Sequence, residues 1–285
     1  VKYALRTADD HVVETVRIPL ERAGRFTACV SSQVGCALAC AFCATGRLGL
    51  ARNLEAWEIV EQVRRVRADL PRGGRVHGVV FQGMGEPLAN VDRVIQAIRV
   101  LGEPSAQAID LRNVTVCTAG IPSGILRLAR EVPAVRLGVS LGAVRGDKRR
   151  ALMPIDAAHP LEEVLAAAGA HARATRMAPM FAYTLLRGEN DGDDDAAALA
   201  ELARAFATEH GVAPRLSLIP YNDIGAPAGA ERALRFARSE RLEAFRAVLR
   251  ARGVGTIVRY SGGGDVGAAC GQLAGRVLAG PAPGG

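Results

Sequence analysis

The sequence predicts an α/β fold of parallel βαβ units, a barrel or an open sheet, entered through a short β-hairpin. Two observations carry that expectation. Short β-rich runs alternate with longer helical patterns six times over, the signature of parallel strands joined by helical crossovers. The motifs with chemical content also fall at the C-terminal ends of the expected strands, where such folds hold their sites. Composition sets the class. With 49% apolar and 23% charged residues, the chain can bury a core and is not a disordered polymer. No run of 18 apolar residues occurs, so no membrane-spanning helix is expected. Residues 1–7 lack the apolar core of a signal peptide, which points to the cytoplasm. The excess of 36 Lys+Arg over 29 Asp+Glu, a net +7, is compatible with a nucleic-acid partner but names none.

The elements follow in order. Residues 2–6 and 12–18, alternating around Asp9-Asp10, predict the hairpin. Strands are expected over 25–31, 76–81, 114–118, 135–141, 180–186, 215–220 and 255–260. Helices are expected over 56–68, 91–101, 124–130, 161–175, 194–210 and 239–252. Leu161, Val164, Leu165 and Ala168 share one helix face, as do Leu242, Phe245, Val248 and Leu249. Residues 187–195 read as an acidic loop. The domain reading is a hairpin extension (1–24), a catalytic unit of barrel size (25–274), and a mobile Gly/Pro-rich tail (275–285).

The chemistry begins with cysteine. Six occur, four of them within fifteen residues, and without a secretion signal a metal or redox site outranks a disulfide framework. Cys36, Cys40 and Cys43 are spaced C-x3-C-x2-C. Three thiolates from one loop can hold three corners of an iron–sulfur cube and leave one iron open for a ligand. A structural zinc site is the competing reading. It needs a fourth ligand, which Cys29 would supply.

The cysteine loop after a first strand, with Gly83-Met84-Gly85-Glu86-Pro87 after the second, resembles the radical S-adenosylmethionine (SAM) enzymes. Further segments make the likeness more specific: Cys29 to Leu38, Arg52-Asn53-Leu54, Leu218-Ile219-Pro220-Tyr221-Asn222 and Ala268-Ala269-Cys270-Gly271-Gln272-Leu273. Together they resemble the RlmN/Cfr family along nearly the whole chain. The resemblance implies a partial (β/α)6 barrel, a 4Fe-4S cluster on Cys36, Cys40 and Cys43, and two SAM molecules per turnover. It also implies methylation of an unreactive adenine carbon, C2 favoured, in 23S ribosomal RNA and in some members tRNA. An electron donor such as flavodoxin and a monomeric state belong to the same expectation.

By the same resemblance Cys270 takes a methyl group from one SAM. A second SAM yields a 5′-deoxyadenosyl radical, which activates that methyl and leads to a covalent protein–RNA adduct. Cys29 resolves the adduct by forming a disulfide with Cys270. Gly85, Glu86, Ser140, Leu141 and Asn222 match SAM-binding positions, with Glu86 on the SAM amino group, and Glu14 matches a proton acceptor. The residues themselves suit these roles. A carboxylate at a strand end pairs with an ammonium through charge-assisted hydrogen bonds, and small residues around Cys270 leave a reactive thiol accessible. Arg17, Arg47, Arg52 and Arg259 are phosphate-contact candidates. Cys117 reads as a strand-end core thiol, and the five histidines show no ligand spacing.

Departures from the family pattern are few. Gly142 stands where the family usually has His, and Cys117 where it has Ser. Gly262 to Asp265 replace a more charged approach to Cys270, and the helical domain the family carries ahead of the hairpin is not part of this sequence. Rival readings are the adenine C8 activity and a radical SAM enzyme acting on a peptide or small molecule. Outside enzymes, the rivals are an iron–sulfur carrier or a zinc-stabilised RNA-binding module.

Overall fold

Each of the seven expected β-rich runs forms a strand in the computed structural model, which describes residues 1–225, 236–259 and 267–274. β1 (Lys2–Arg6) and β2 (Val12–Pro19) make the antiparallel hairpin, and β2 pairs antiparallel with β3 (Arg25–Val30). Two short strands come next, β4 (Gln33–Cys36) and β5 (Gly49–Asn53), in a separate antiparallel pair. The main sheet resumes with β6 (Arg75–Phe81), β7 (Val114–Thr118), β8 (Arg136–Ser140), β9 (Met180–Leu185), β10 (Arg215–Pro220) and β11 (Thr256–Val258). From β3 to β11 every pairing is parallel, in the order β1-β2-β3-β6-β7-β8-β9-β10-β11. The described sheet is open at β1 and β11, so it is a mostly parallel partial barrel that the hairpin extends on one side.

The strands are Val-rich because both faces are covered. Val114 and Val116 of β7 and Val139 of β8 are fully buried. The crossovers are α1 (Ala56–Ala68), α2 (Val91–Gly102), α3 (Pro122–Glu131), α4 (Gly146–Leu152), α5 (Leu161–Thr175), α6 (Asp193–His210) and α7 (Leu242–Ala251). On α1, Ile59, Val63 and Val66 recur at helical spacing and are each fully buried. Side chains of this kind each contribute roughly 1.5–3 kcal/mol by leaving water.

Three differences from the sequence reading have local causes. α3 starts at Pro122, which suits the first helical position because its missing N–H has no partner there anyway. α6 begins one residue earlier than expected, at Asp193, where Asp193 to Asp195 complement the positive helix end. The β4–β5 pair and the seven-residue α4 are too short to show periodicity. The tail 275–285, residues 262–265 and Tyr260 lie outside the described residues. No described helix is long and apolar enough to cross a membrane.

The motif Arg52-Asn53-Leu54 proves to be architectural. Arg52 pairs with Asp9 in the hairpin turn (2.6 Å) and with Glu58 in the first turn of α1 (2.8 Å). Asn53 accepts from the Gln33 amide at 2.7 Å, and Leu54 is fully buried. Glu58 also accepts from the Glu55 backbone N–H at 2.8 Å, closing a capping box on α1.

His171 on α5 supplies a stability prediction. Burial alone pushes its pKa down from 6.5 to about 4, and its Nε2 has no hydrogen-bond partner among the described residues. Folding therefore favours the neutral ring. Its contribution is present above pH 6.5 and is lost as pH falls towards 4, by about 3 kcal/mol at most. Urea denaturation at pH 7 and pH 4.5 should show His171→Leu losing less on acidification than the parent. Equal losses would remove His171 from the account.

Candidate active site at the open end of the barrel

The C-terminal ends of the parallel strands face one cleft that opens to solvent. Cys36, Cys40 and Cys43 line one wall, and Gly85, Glu86, Ser140, Asn222 and Cys270 line the rest. Eight of the eleven site residues expected from the sequence thus share one space. Cys29, Glu14 and Leu141 are not among its lining residues.

Burial and mutual repulsion make Cys36 and Cys40 costly to ionise. The Cys36 thiol is pushed up to about 11, chiefly by burial, with Cys43 and Glu86 adding to the effect. Cys40 is raised further by burial and then by Cys43, Cys36 and Glu86, partly offset by the Arg149 guanidinium. Glu86 itself is raised by burial, against backbone N–H groups that hold its charged form. Four acidic groups facing one cleft call for cations. The donor set fits an iron–sulfur cluster: soft thiols on one loop, with an acidic neighbour left over for an ammonium. Among the described residues no three His, Cys, Asp or Glu side chains are already drawn together as the ligands of a single metal ion.

Glu86 is held in place by its backbone neighbours. It caps the turn Pro87–Asn90, accepting from Leu88 N at 3.0 Å, and its other oxygen accepts from Ala119 N at 2.8 Å. Gly85 is required beside it. Its φ is +95°, and a Cβ there would meet the Gln33 side chain at 2.5 Å. Ser140 presents its side to the cleft while its carbonyl accepts from Arg149 at 3.2 Å. Leu141 is fully buried and is not among the residues that line the cleft; its carbonyl accepts from Arg149. Asn222 donates to the Cys270 carbonyl at 3.1 Å.

The diverged positions have physical explanations. Gly142 has φ +69°, and a Cβ would meet Met153 Sδ at 2.4 Å, so Met153 occupies space a larger residue would need. Cys117 lines the cleft rather than only the core, with Gln82 Oε1 at 3.8 Å and its thiol raised by burial to about 11. The four arginine candidates are engaged within the molecule. Arg17 stacks on Phe26 and pairs with Asp69, Arg47 donates to the Gly225 carbonyl, Arg52 is tied as described, and Arg259 bonds Gln82.

Cys29 is buried on β3, close enough to Cys270 and Cys117 that each raises its thiol pKa beyond the main effect of burial. All six cysteines are free thiols, so the expected Cys29–Cys270 disulfide is not formed in this structure. Glu14, matched to a proton acceptor, is fully buried on β2 and paired with Lys2 at 3.0 Å.

Sequence reading missed Arg149. It is fully buried on α4 and bonds Asp156 at 2.9 Å, Ala119 O at 2.9 Å, and the carbonyls of Ser140 and Leu141. It braces the strand ends from beneath the cleft. A cationic residue flanked by Lys148 and Arg150 carries no local signal of this; only a surplus of carbonyls at converging strand ends creates the need.

Comparison with known proteins agrees with the geometry. Residues 30–200 match the Radical SAM superfamily. A dual-specificity RNA methyltransferase RlmN of Syntrophobacter fumaroxidans is 44% identical over 272 residues, spanning 95% of this chain and 75% of that protein. The chain belongs to the RlmN-type radical SAM methyltransferases. A protein of Sorangium cellulosum named as a probable RNA methyltransferase is 72% identical over 300 residues, covering all of this chain and 76% of its own length. The crystal structure of a radical SAM methyltransferase from Sphaerobacter thermophilus superposes with a TM-score of 0.85 at 40% identity, covering 96% of this chain and 77% of that one. Membership of this family implies a 4Fe-4S cluster and SAM, which suits the thiol wall and the acidic neighbour described above.

Proposed function

We propose that this RlmN-type enzyme methylates an adenine carbon of RNA, C2 in 23S ribosomal RNA with tRNA as a second substrate, in the cytoplasm. One observation supports the reading most. The cleft that holds the three-cysteine wall and Glu86 is also lined by Cys270 from a distant part of the chain. A cluster loop alone would serve any radical SAM enzyme, and an electron carrier would have no use for a thiol opposite it. In this reading Cys36, Cys40 and Cys43 hold the cluster, which when reduced by a donor such as flavodoxin supplies the radical chemistry of SAM. Gly85, Glu86, Ser140 and Asn222 seat SAM, one molecule supplying the methyl and a second the radical. Cys270 carries the methyl group, and Cys29, buried on β3 within electrostatic reach of it, releases the RNA by forming a disulfide with Cys270.

The deciding experiment is mass mapping of adenine methylation in 23S rRNA and tRNA from a strain lacking the gene and from the complemented strain. Loss of a C2-methyl adenine that the parent gene restores is expected. Loss of a C8-methyl adenine would correct the regiochemistry, and unchanged RNA would end the RNA assignment. Cys29→Ala should accumulate a protein–RNA crosslink, and an active variant without one would remove the resolving role.

A further inference from the structure

We propose that Lys2 and Glu14 are positioning residues, a latch that docks the Cys270 segment over the cleft. The assignment of that segment's importance rests on the reading of Cys270 as the methyl carrier. The latch itself rests on geometry. Lys2 pairs with Val16 across the hairpin and Glu14 with Ala4, so the two side chains are diagonal neighbours on one face of β1–β2. Lys2 Nζ lies 3.0 Å from Glu14 Oε1, with side-chain exposures of 6% and 0%.

Neither group is spent on the hairpin alone. The same ammonium donates to the Gly267 carbonyl at 3.3 Å, and Glu14 Oε2 accepts from Ala274 N at 2.8 Å. Gly267 and Ala274 lie three residues before and four residues after Cys270. One buried ion pair therefore contacts the chain on both sides of Cys270. Other elements hold the middle. Ala44 N donates to Gly271 O at 2.8 Å, Thr45 Oγ1 to Leu273 O at 2.6 Å, and Gln272 Nε2 to Asp223 O at 2.8 Å. The segment thus spans from the hairpin to the cluster loop and to the loop after β10.

The energetics favour a positioning function over simple stabilisation. A buried pair at a sheet edge is a poor source of net stability, since desolvation cancels much of its attraction. What it does supply is geometry: a carboxylate with two engaged oxygens and an ammonium with two acceptors admit few arrangements. Because both Glu14 oxygens are committed and the side chain lies outside the cleft lining, it acts through the segment rather than on a reacting atom.

The test is thiol alkylation of the whole apo-protein under anaerobic, native conditions, with iodoacetamide as the probe and peptide mass spectrometry as the readout. The buried thiols Cys29 and Cys117 report any general opening. Lys2→Met should raise the labelling rate of Cys270 roughly 10-fold, with Cys29 and Cys117 unchanged, as for local rather than global opening. Lys2→Arg should restore the parent rate. If Lys2→Met opens all thiols together, Glu14→Gln decides, being isosteric and better tolerated. A selective rise at Cys270 in that variant sustains the latch, whereas an unchanged Cys270 rate, or a rise shared by all thiols, overturns it. The labelling is independent of methyl transfer. Full RNA methylation by Cys270→Ala would defeat the proposed function while leaving the latch standing.

Discussion

Glu86→Gln weakens SAM binding roughly 30-fold to 1,000-fold, the loss of about 2–4 kcal/mol expected when one partner of a desolvated charge pair is removed. Two features set the size. The carboxylate is buried and already oriented by Leu88 N and Ala119 N, so no reorganisation is needed when an ammonium arrives. An amide keeps one acceptor oxygen, but its NH2 then faces a backbone N–H, donor against donor. Equilibrium dialysis of labelled SAM with the reconstituted protein measures the effect, and an affinity within threefold of the parent would dismiss Glu86 as the ammonium partner. pH adds a second handle. Burial raises the Glu86 pKa above its ordinary 4.5, so SAM affinity should begin to fall on acidification at a higher pH than an ordinary glutamate would give. The sign for stability is opposite. A raised carboxyl pKa favours folding most below 4.5 and is lost as pH rises through the folded value, so ionised Glu86 costs the apo-protein stability at neutral pH. Glu86→Gln should therefore bind SAM poorly while losing little urea resistance at pH 7, relief of the buried charge offsetting the lost backbone hydrogen bond.

Arg149→Met destabilises the fold by about 3–5 kcal/mol, a large share of a typical total of roughly 5–15 kcal/mol. The side chain is wholly buried, and its loss leaves the Asp156 carboxylate in the interior without its closest cation. It also leaves the carbonyls of Ala119, Ser140 and Leu141 without their side-chain donor. Arg149→Lys recovers only part, because a single ammonium cannot serve a carboxylate and three carbonyls in the directions a planar guanidinium does. Urea titration of the apo-protein is the measurement. A loss under about 1 kcal/mol for Arg149→Met would show that the brace is replaceable by water or repacking. Together the two variants separate binding from architecture on one cleft: the first should spare the fold and the second should not.

The fold was legible because its signals are local and repeated. Seven strand runs and six helical patterns each carry their own periodicity, and the parallel order follows from their alternation. The same holds for Cys36, Cys40, Cys43 and Glu86, whose spacing and turn residues lie within a few positions of one another. What stayed hidden was either short or relational. β4, β5 and α4 are too brief for a period to show. Arg149, Lys2 and Gln82 are ordinary polar residues until the partners they need are brought beside them.

Glu14 marks the boundary best. As a residue in Val13-Glu14-Thr15 it reads as a strand carboxylate with a family role, and nothing nearby in the chain says otherwise. Its partners are twelve residues before it and 260 after it. The sequence by itself determined the alternation of strands and helices, the thiol loop and the acidic turn, since each depends on residues close together in the chain. Only the tertiary structure decided which charges are buried, which carbonyls need a cation, and what holds Cys270 over the cleft. Burial and pairing are properties of groups that meet in space, and their cost or benefit does not exist until the chain has closed around them.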